Sequence, residues 1–233
     1  MQAKKFWWVG LFAIAMAYVE SATVVYIRHI YGISDLIFDI PPFDPVIAPI
    51  EVGRELATLV MLLAIGWAVG KTLQSRIGFL FFTFGIWDIF YYIWLRVFIG
   101  WPNSLFSPDI LFLIPLPWWG PVIAPLLIAC LMVVGGVLAV VNEGEGYAIK
   151  LSLIDRITLI GGVLVMLYSF VKDAIAIMPA NVETLAQLRP TTFNWPIYII
   201  GLVLPSYVVL HTTWLRNQNK LLLKKKNRND YQE

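Results

Sequence analysis

Glu51, Glu55 and Thr58 are spaced by four and three residues, so on a helix they line one face, with Arg54 beside it, in an otherwise apolar stretch. Asp88, Tyr92 and Arg96 share another face in the same way, with Tyr91 adjacent and Trp87 behind, and Glu20 stands among apolar neighbours ahead of Arg28 and His29. Carboxylates, guanidinium groups and phenols grouped this way support three kinds of chemistry.

The first is mutual neutralisation. Glu20, Glu51, Glu55, Asp88 and Asp173 set against Arg28, Arg54, Arg96 and Lys172 are nearly balanced, as an internal salt-bridge network in lipid would require. The second is a divalent metal centre, for which Glu20, His29, Glu51, Glu55 and Asp88 are the candidate ligands. Carboxylate sites in helix bundles normally add a Glu-x-x-His pair, and His29 lacks one. The third is transport of a small molecule or anion coupled to protons. Arg54 and Arg96 would hold an anion, Asp88 and Glu55 would carry the proton, and Tyr92 would relay it. The candidate substrate or proton site is therefore Glu20, Arg54, Glu55, Asp88, Tyr92 and Arg96.

The elements that position these residues follow from composition. The chain is 59% hydrophobic and 14% charged, against roughly 45–50% and 25% for a soluble domain. A spanning helix needs about 20 apolar residues, and six stretches qualify: Phe6 to Ile27, Glu51 to Thr72, Ile77 to Ile99, Trp119 to Val141, Ile154 to Met178 and Trp195 to Leu215. The expected fold class is all-α, a polytopic integral membrane bundle of six transmembrane helices over residues 1–219, followed by a basic tail, 220–233. Of the 17 Lys and Arg, only Arg28, Arg54, Arg96, Lys172 and Arg189 fall on the side away from the termini. The positive-inside rule then puts both termini in the cytoplasm and the charged cluster in the outer half of a plasma membrane. Asp88 lies about 16 Å from either end of its span by the helical rise, hence near the midplane.

Lys4 and Lys5 before an apolar run resemble a secretory signal, but the run continues through Val24, Val25 and Ile27, so a retained helix is expected. In the loop after Ile99, Ser107, Pro108 and Asp109 read as the start of a short interfacial helix that Pro115 and Pro117 stop. Gly66 and Gly70, Gly135 and Gly136, and Gly161 and Gly162 predict close helix approach, and Pro121, Pro125 and Pro205 predict bends. Charged and tyrosine-bearing positions from spans one, two, three and five should line one site.

The expected partners are the lipid bilayer, anionic lipid at Lys224, Lys225, Lys226 and Arg228, and further copies or other subunits in a homo- or hetero-oligomer. A net charge of +2, drawn mainly from the tail, gives nucleic acid no foothold. Cys130 alone excludes a disulfide framework, and no GxSxG, HExxH or Walker sequence is present. His29 and His211 near opposite faces do not suit a shared haem, and the acidic turn from Asn142 to Gly146 has too few carboxylates for a cation-binding loop.

Overall fold

The computed structural model describes residues 2–32, 46–111, 116–179 and 192–230, with side chains as far as Thr213. Six helices make up these residues: α1 (Gln2–Tyr31), α2 (Ile47–Val69), α3 (Leu73–Ile99), α4 (Ile123–Gly144), α5 (Leu153–Ala176) and α6 (Trp195–Asp230). Each contains a stretch long and apolar enough to cross a membrane, as a multi-pass membrane protein requires. Between α3 and α4 lies a short antiparallel hairpin of β1 (Pro108–Ile110) and β2 (Trp119–Pro121).

Local chemistry sets the helix ends. Thr72 caps α3 by accepting from the Ser75 N–H at 3.3 Å, and the Ser75 hydroxyl oxygen accepts from the Thr72 N–H at 3.1 Å. Ser152 and Asp155 make the same reciprocal pair at the start of α5. Gly100 stops α3 in the left-handed region, at φ 70°, where a side chain would be strained. Pro121 and Pro125 do not bend a helix: the first ends β2 and the second sits in the opening turn of α4, where a missing N–H costs no helical bond. Pro205 lies inside α6.

The loop after α3 departs from the sequence expectation. Its residues 108–110 join a strand pair rather than a short helix, and the further residues 112–115 lie outside those described. Asp109 sits opposite Gly120, the Leu111 N–H donates to the Trp118 carbonyl at 2.9 Å, and Val122 and Ile123 donate to the carbonyls of Ser107 and Leu105. These non-local bonds satisfy backbone groups that a two-turn helix would leave open at its ends. Trp119 accordingly belongs to β2, and α4 starts only at Ile123. At the other extreme, α6 runs on past residue 215 to Asp230, so the basic segment continues the last helix.

Helix α3 is the centre of the bundle, with α1, α2 and α4 packed around it, while α5 and α6 pair with each other and meet the rest through α4 and β2. Close approach explains the strongest pairings. A Cβ on Gly78 would lie 3.0 Å from the Gly136 carbonyl oxygen, and one on Gly85 would fall inside contact distance of the Ala129 carbonyl, so α3 and α4 touch backbone to backbone. Gly162 meets Pro205 and Gly201 in the same manner between α5 and α6. Gly161 faces open space and Gly135 makes only ordinary contact, so one glycine of each doublet mediates its packing.

Two ends can now be distinguished. The hairpin end holds Arg28, Glu51, β1 and β2, and Trp195, where Phe170, Phe193 and Tyr198 pack around Gly120. The opposite end holds Lys5, whose ammonium donates to the Val69 carbonyl at 2.7 Å, and Gln74, which bonds to the Ala139 carbonyl and the Ile149 N–H.

Candidate functional site

Helix α2 enters the bundle at the hairpin end with its charged face turned to α1. Arg54 donates through Nε to Glu51 Oε2 at 2.9 Å and pairs through Nη2 with Glu51 Oε1, a fork against the carboxylate of the preceding turn. Its Nη1 pairs with Glu20 of α1. Glu20 also accepts from the Thr58 hydroxyl at 3.2 Å. Thr58 and Glu55 are buried, and Glu55 lies within electrostatic reach of Glu51 and Arg54. One guanidinium thus serves three carboxylates.

The second half of the site is built on α3 and the hairpin. Tyr92, buried, donates its hydroxyl to Asp109 Oδ2 at 3.0 Å. Arg28, from the last turn of α1, places Nη2 3.8 Å from Asp109 Oδ1, and its guanidinium lies 4.3 Å from the Trp101 ring centroid. Burial pushes the Asp109 carboxyl up to about 6, against the opposing pull of Arg28, the Tyr92 hydroxyl and the Ile110 N–H. Asp88 lies one turn below Tyr92, half-buried, and makes no hydrogen bond or ion pair among the described residues. The Tyr91 ring lies between those of Trp87 and Tyr92, tilted against the first and edge-on to the second, while its carbonyl accepts from Ser21 of α1 at 2.9 Å. That bond fixes α1 and α3 side by side at the level of the acids.

Not every residue expected here arrives. Glu20, Glu51, Arg54 and Glu55 come together, and Asp88 and Tyr92 join Asp109. Arg96 does not. It is exposed, and its Nη1 pairs with the Gly100 carbonyl and donates to that of Pro102 at 2.9 Å, so it closes the C-terminal end of its own helix, where a cation suits the free carbonyls. His29 is exposed in the last turn of α1. Lys172 and Asp173 contact each other at 2.9 Å on α5, a helix that packs on α6 and β2. Among the described residues the main contacts of helix five are therefore with α6 and β2 rather than with α1, α2 or α3, and with Arg96 turned away the nearly balanced count of acids and bases does not hold there. Among the described residues no group of three His, Cys, Asp or Glu is placed to hold a metal ion.

Asp109 is the residue that sequence reasoning missed as a site member. Its only signal was being the one charged residue between Arg96 and Glu143, and its place after Ser-Pro suggested a helix start instead. Asp155 was missed as well: its carboxylate meets His211 Nδ1 at 3.2 Å at the opposite end, on which Tyr207 stacks. The Ser152-x-x-Asp155 capping pattern would have located it. Between the two polar ends the bundle is filled by Val9, Phe79, Phe82 and Val140, and buried Thr83 bonds back to the Phe79 carbonyl of its own helix. No family model, curated protein or solved structure matches this chain.

Proposed function

We propose that this chain is a multi-pass protein of the plasma membrane, with both termini cytoplasmic, that couples proton binding at the hairpin-end acids to the passage of a small solute. The observation that supports this reading is the imbalance of charge. Among the described residues, Glu20, Glu51, Asp88 and Asp109 gather around Arg28 and Arg54. Acids without basic partners inside a bilayer are compensated by protons or by a cation. Asp88, unpartnered among the described residues and about 16 Å from the hairpin end of α3 by the helical rise, is the group best placed to exchange one.

The same count favours a cationic or neutral solute over an anion. Arg54 is engaged by Glu20 and Glu51, and Arg96 is turned to loop carbonyls, so neither offers donors to an anion. The apolar filling around Phe79 and Phe82 seals the opposite half in this conformation. Alternating access would require α3 to shift against α1 there. The basic residues Lys224, Lys225, Lys226 and Arg228 at the end of α6 would then meet anionic lipid on the cytoplasmic face.

The test is proton flux in liposomes that hold the purified protein and an internal pH dye, driven by a panel of amines, inorganic cations and neutral solutes. Solute-dependent flux in the wild type, lost in Asp88→Asn and Glu55→Gln variants that still fold, is the expected result. Flux no greater than in empty liposomes across the panel would overturn the reading. A second reading, a structural subunit of a membrane complex, is favoured by one observation: Arg54 joins α1 to α2 as a lock would. It predicts a co-purifying partner and no flux.

A further inference from the structure

Asp109 is held less completely than the carboxylates around Arg54. Glu51 receives two contacts from one guanidinium. Asp109 receives one side-chain hydrogen bond, from Tyr92, while the nearest Arg28 nitrogen stands 3.8 Å away, beyond hydrogen-bond reach. Arg28 Nε is buried with no acceptor among the described residues. Asp109 is nevertheless 2% exposed and is the single ionisable residue of the hairpin, paired across the strands with Gly120. The groups that face it are Arg28 from α1 and Asp88, Tyr91 and Tyr92 from α3. β2 and the first turns of α4 bring no titratable side chain.

We propose that Asp109, with Arg28 and Tyr92, is a proton-binding site of the hairpin, and that proton uptake there fastens the hairpin against α1 and α3 over the acid site. The cover's role in regulating that site rests on the function proposed above, whereas the proton binding does not. The direction follows from burial. A neutral carboxyl keeps the Tyr92 contact without needing a close counter-ion. An ionised one keeps the Tyr92 and Ile110 contacts, but it is a charge 2% exposed whose guanidinium partner stands 3.8 Å away, so burial draws it toward water.

Because the closed hairpin raises the Asp109 pKa from its ordinary 3.8 to about 6, the proton-linked closure is complete below about 3.8, weakens as pH rises from there, and levels off above about 6. The gap between those two values corresponds to a roughly 100-fold change in the ratio of closed to open hairpin. Asp88, carrying like charge within electrostatic reach, links the two sites: a proton on either one makes ionisation of the other easier.

The experiment uses the full chain in lipid nanodiscs. Difference infrared spectroscopy reads carboxyl protonation, and hydrogen exchange at the Leu111 and Val122 amides, corrected for intrinsic rate, reads closure of the hairpin. The expected result is a carboxyl titration with a midpoint at about 6, absent in Asp109→Asn, with amide protection falling up to about 100-fold from pH ~3 to pH ~7. Asp109→Asn, the neutral mimic, should keep the acid-side protection throughout. Should that variant fail to fold, Arg28→Gln serves: loss of the nearby positive charge should move the midpoint above the wild-type value. Hairpin protection that does not change with pH, or an Asp109 titration near 3.8, would overturn the proposal and leave a structural ion pair. Titration at Asp109 without solute flux would refute the transport reading alone, and flux without that titration would refute this proposal alone.

Discussion

Replacing Arg54 by Gln should be among the most damaging single changes outside the glycine contacts. The guanidinium is the only base in contact with Glu20 and Glu51 among the described residues, and Glu55 lies within its field. Removing one partner of a buried ion pair costs about 3–5 kcal/mol, chiefly because the other charge is left uncompensated. The Arg54 side chain keeps 21% of its surface open, so the lower end, about 3 kcal/mol, is the appropriate figure. Unfolding in mixed micelles, followed by tryptophan fluorescence, measures it. The double variant Glu20→Gln/Arg54→Gln should recover at least about 1 kcal/mol of that loss, because it removes a stranded charge. If Arg54→Gln lies within about 0.5 kcal/mol of the wild type, or if the double variant costs the sum of the singles, Arg54 does not neutralise these acids and the argument from charge balance fails.

Three further outcomes are expected. Gly136→Ala would push a Cβ to 2.5 Å from the Gly78 carbonyl and 2.7 Å from the Phe82 nitrogen, both backbone, so α3 and α4 must separate; a loss of about 1–3 kcal/mol should appear in the same unfolding assay. Arg96→Ala should leave any proton-coupled flux within about 2-fold of wild type, since the side chain caps its own helix, and a loss above about 10-fold would return Arg96 to the site. Elemental mass spectrometry of the purified protein should find no stoichiometric divalent metal, as among the described residues no three of His, Cys, Asp or Glu are grouped as a ligand set. Near-stoichiometric metal lost in both Glu55→Ala and Asp88→Ala would restore the metal-centre reading.

The helices were legible because each is a run of apolar residues long enough to span a bilayer, and hydropathy alone reports that. The Glu51–Arg54 contact was also legible, since it lies within one helix and follows from a spacing of three residues. Contacts between helices were not. Nothing in the sequence pairs Glu20 with Arg54 rather than with Arg28, and only the packing of α1 and α2 around α3 decides it. Arg96 shows the limit of spacing arguments from the other direction. It shares a face with Asp88 and Tyr92, yet in a last helical turn its long side chain finds nearer acceptors among the loop carbonyls. The hairpin was hidden for a third reason: its strands are three residues long and pair across an intervening loop, so periodicity has no room to act.

Charge and mechanics meet in α2. Among the described helices only α3 gives it an extended contact, and its remaining faces carry exposed apolar side chains such as Leu56, Val60 and Leu63. Its two ends are fastened to α1 by polar contacts instead. Lys5 of α1 holds the Val69 carbonyl at one end, and Glu20 holds Arg54 at the other. These fastenings differ in kind. The ammonium-to-carbonyl bond involves no carboxyl group, so protonating the acid site leaves it unaltered. The Glu20–Arg54 contact depends directly on Glu20 being ionised, so a proton there would weaken the hold on α2 at the hairpin end to the Thr58 hydrogen bond while the Lys5 end stayed closed. On the proposed function, a helix tied firmly at one end and conditionally at the other would act as a lever whose position follows the protonation of the acid site. The residues that balance charge in this bundle would then also be the ones that convert a change of charge into a change of shape.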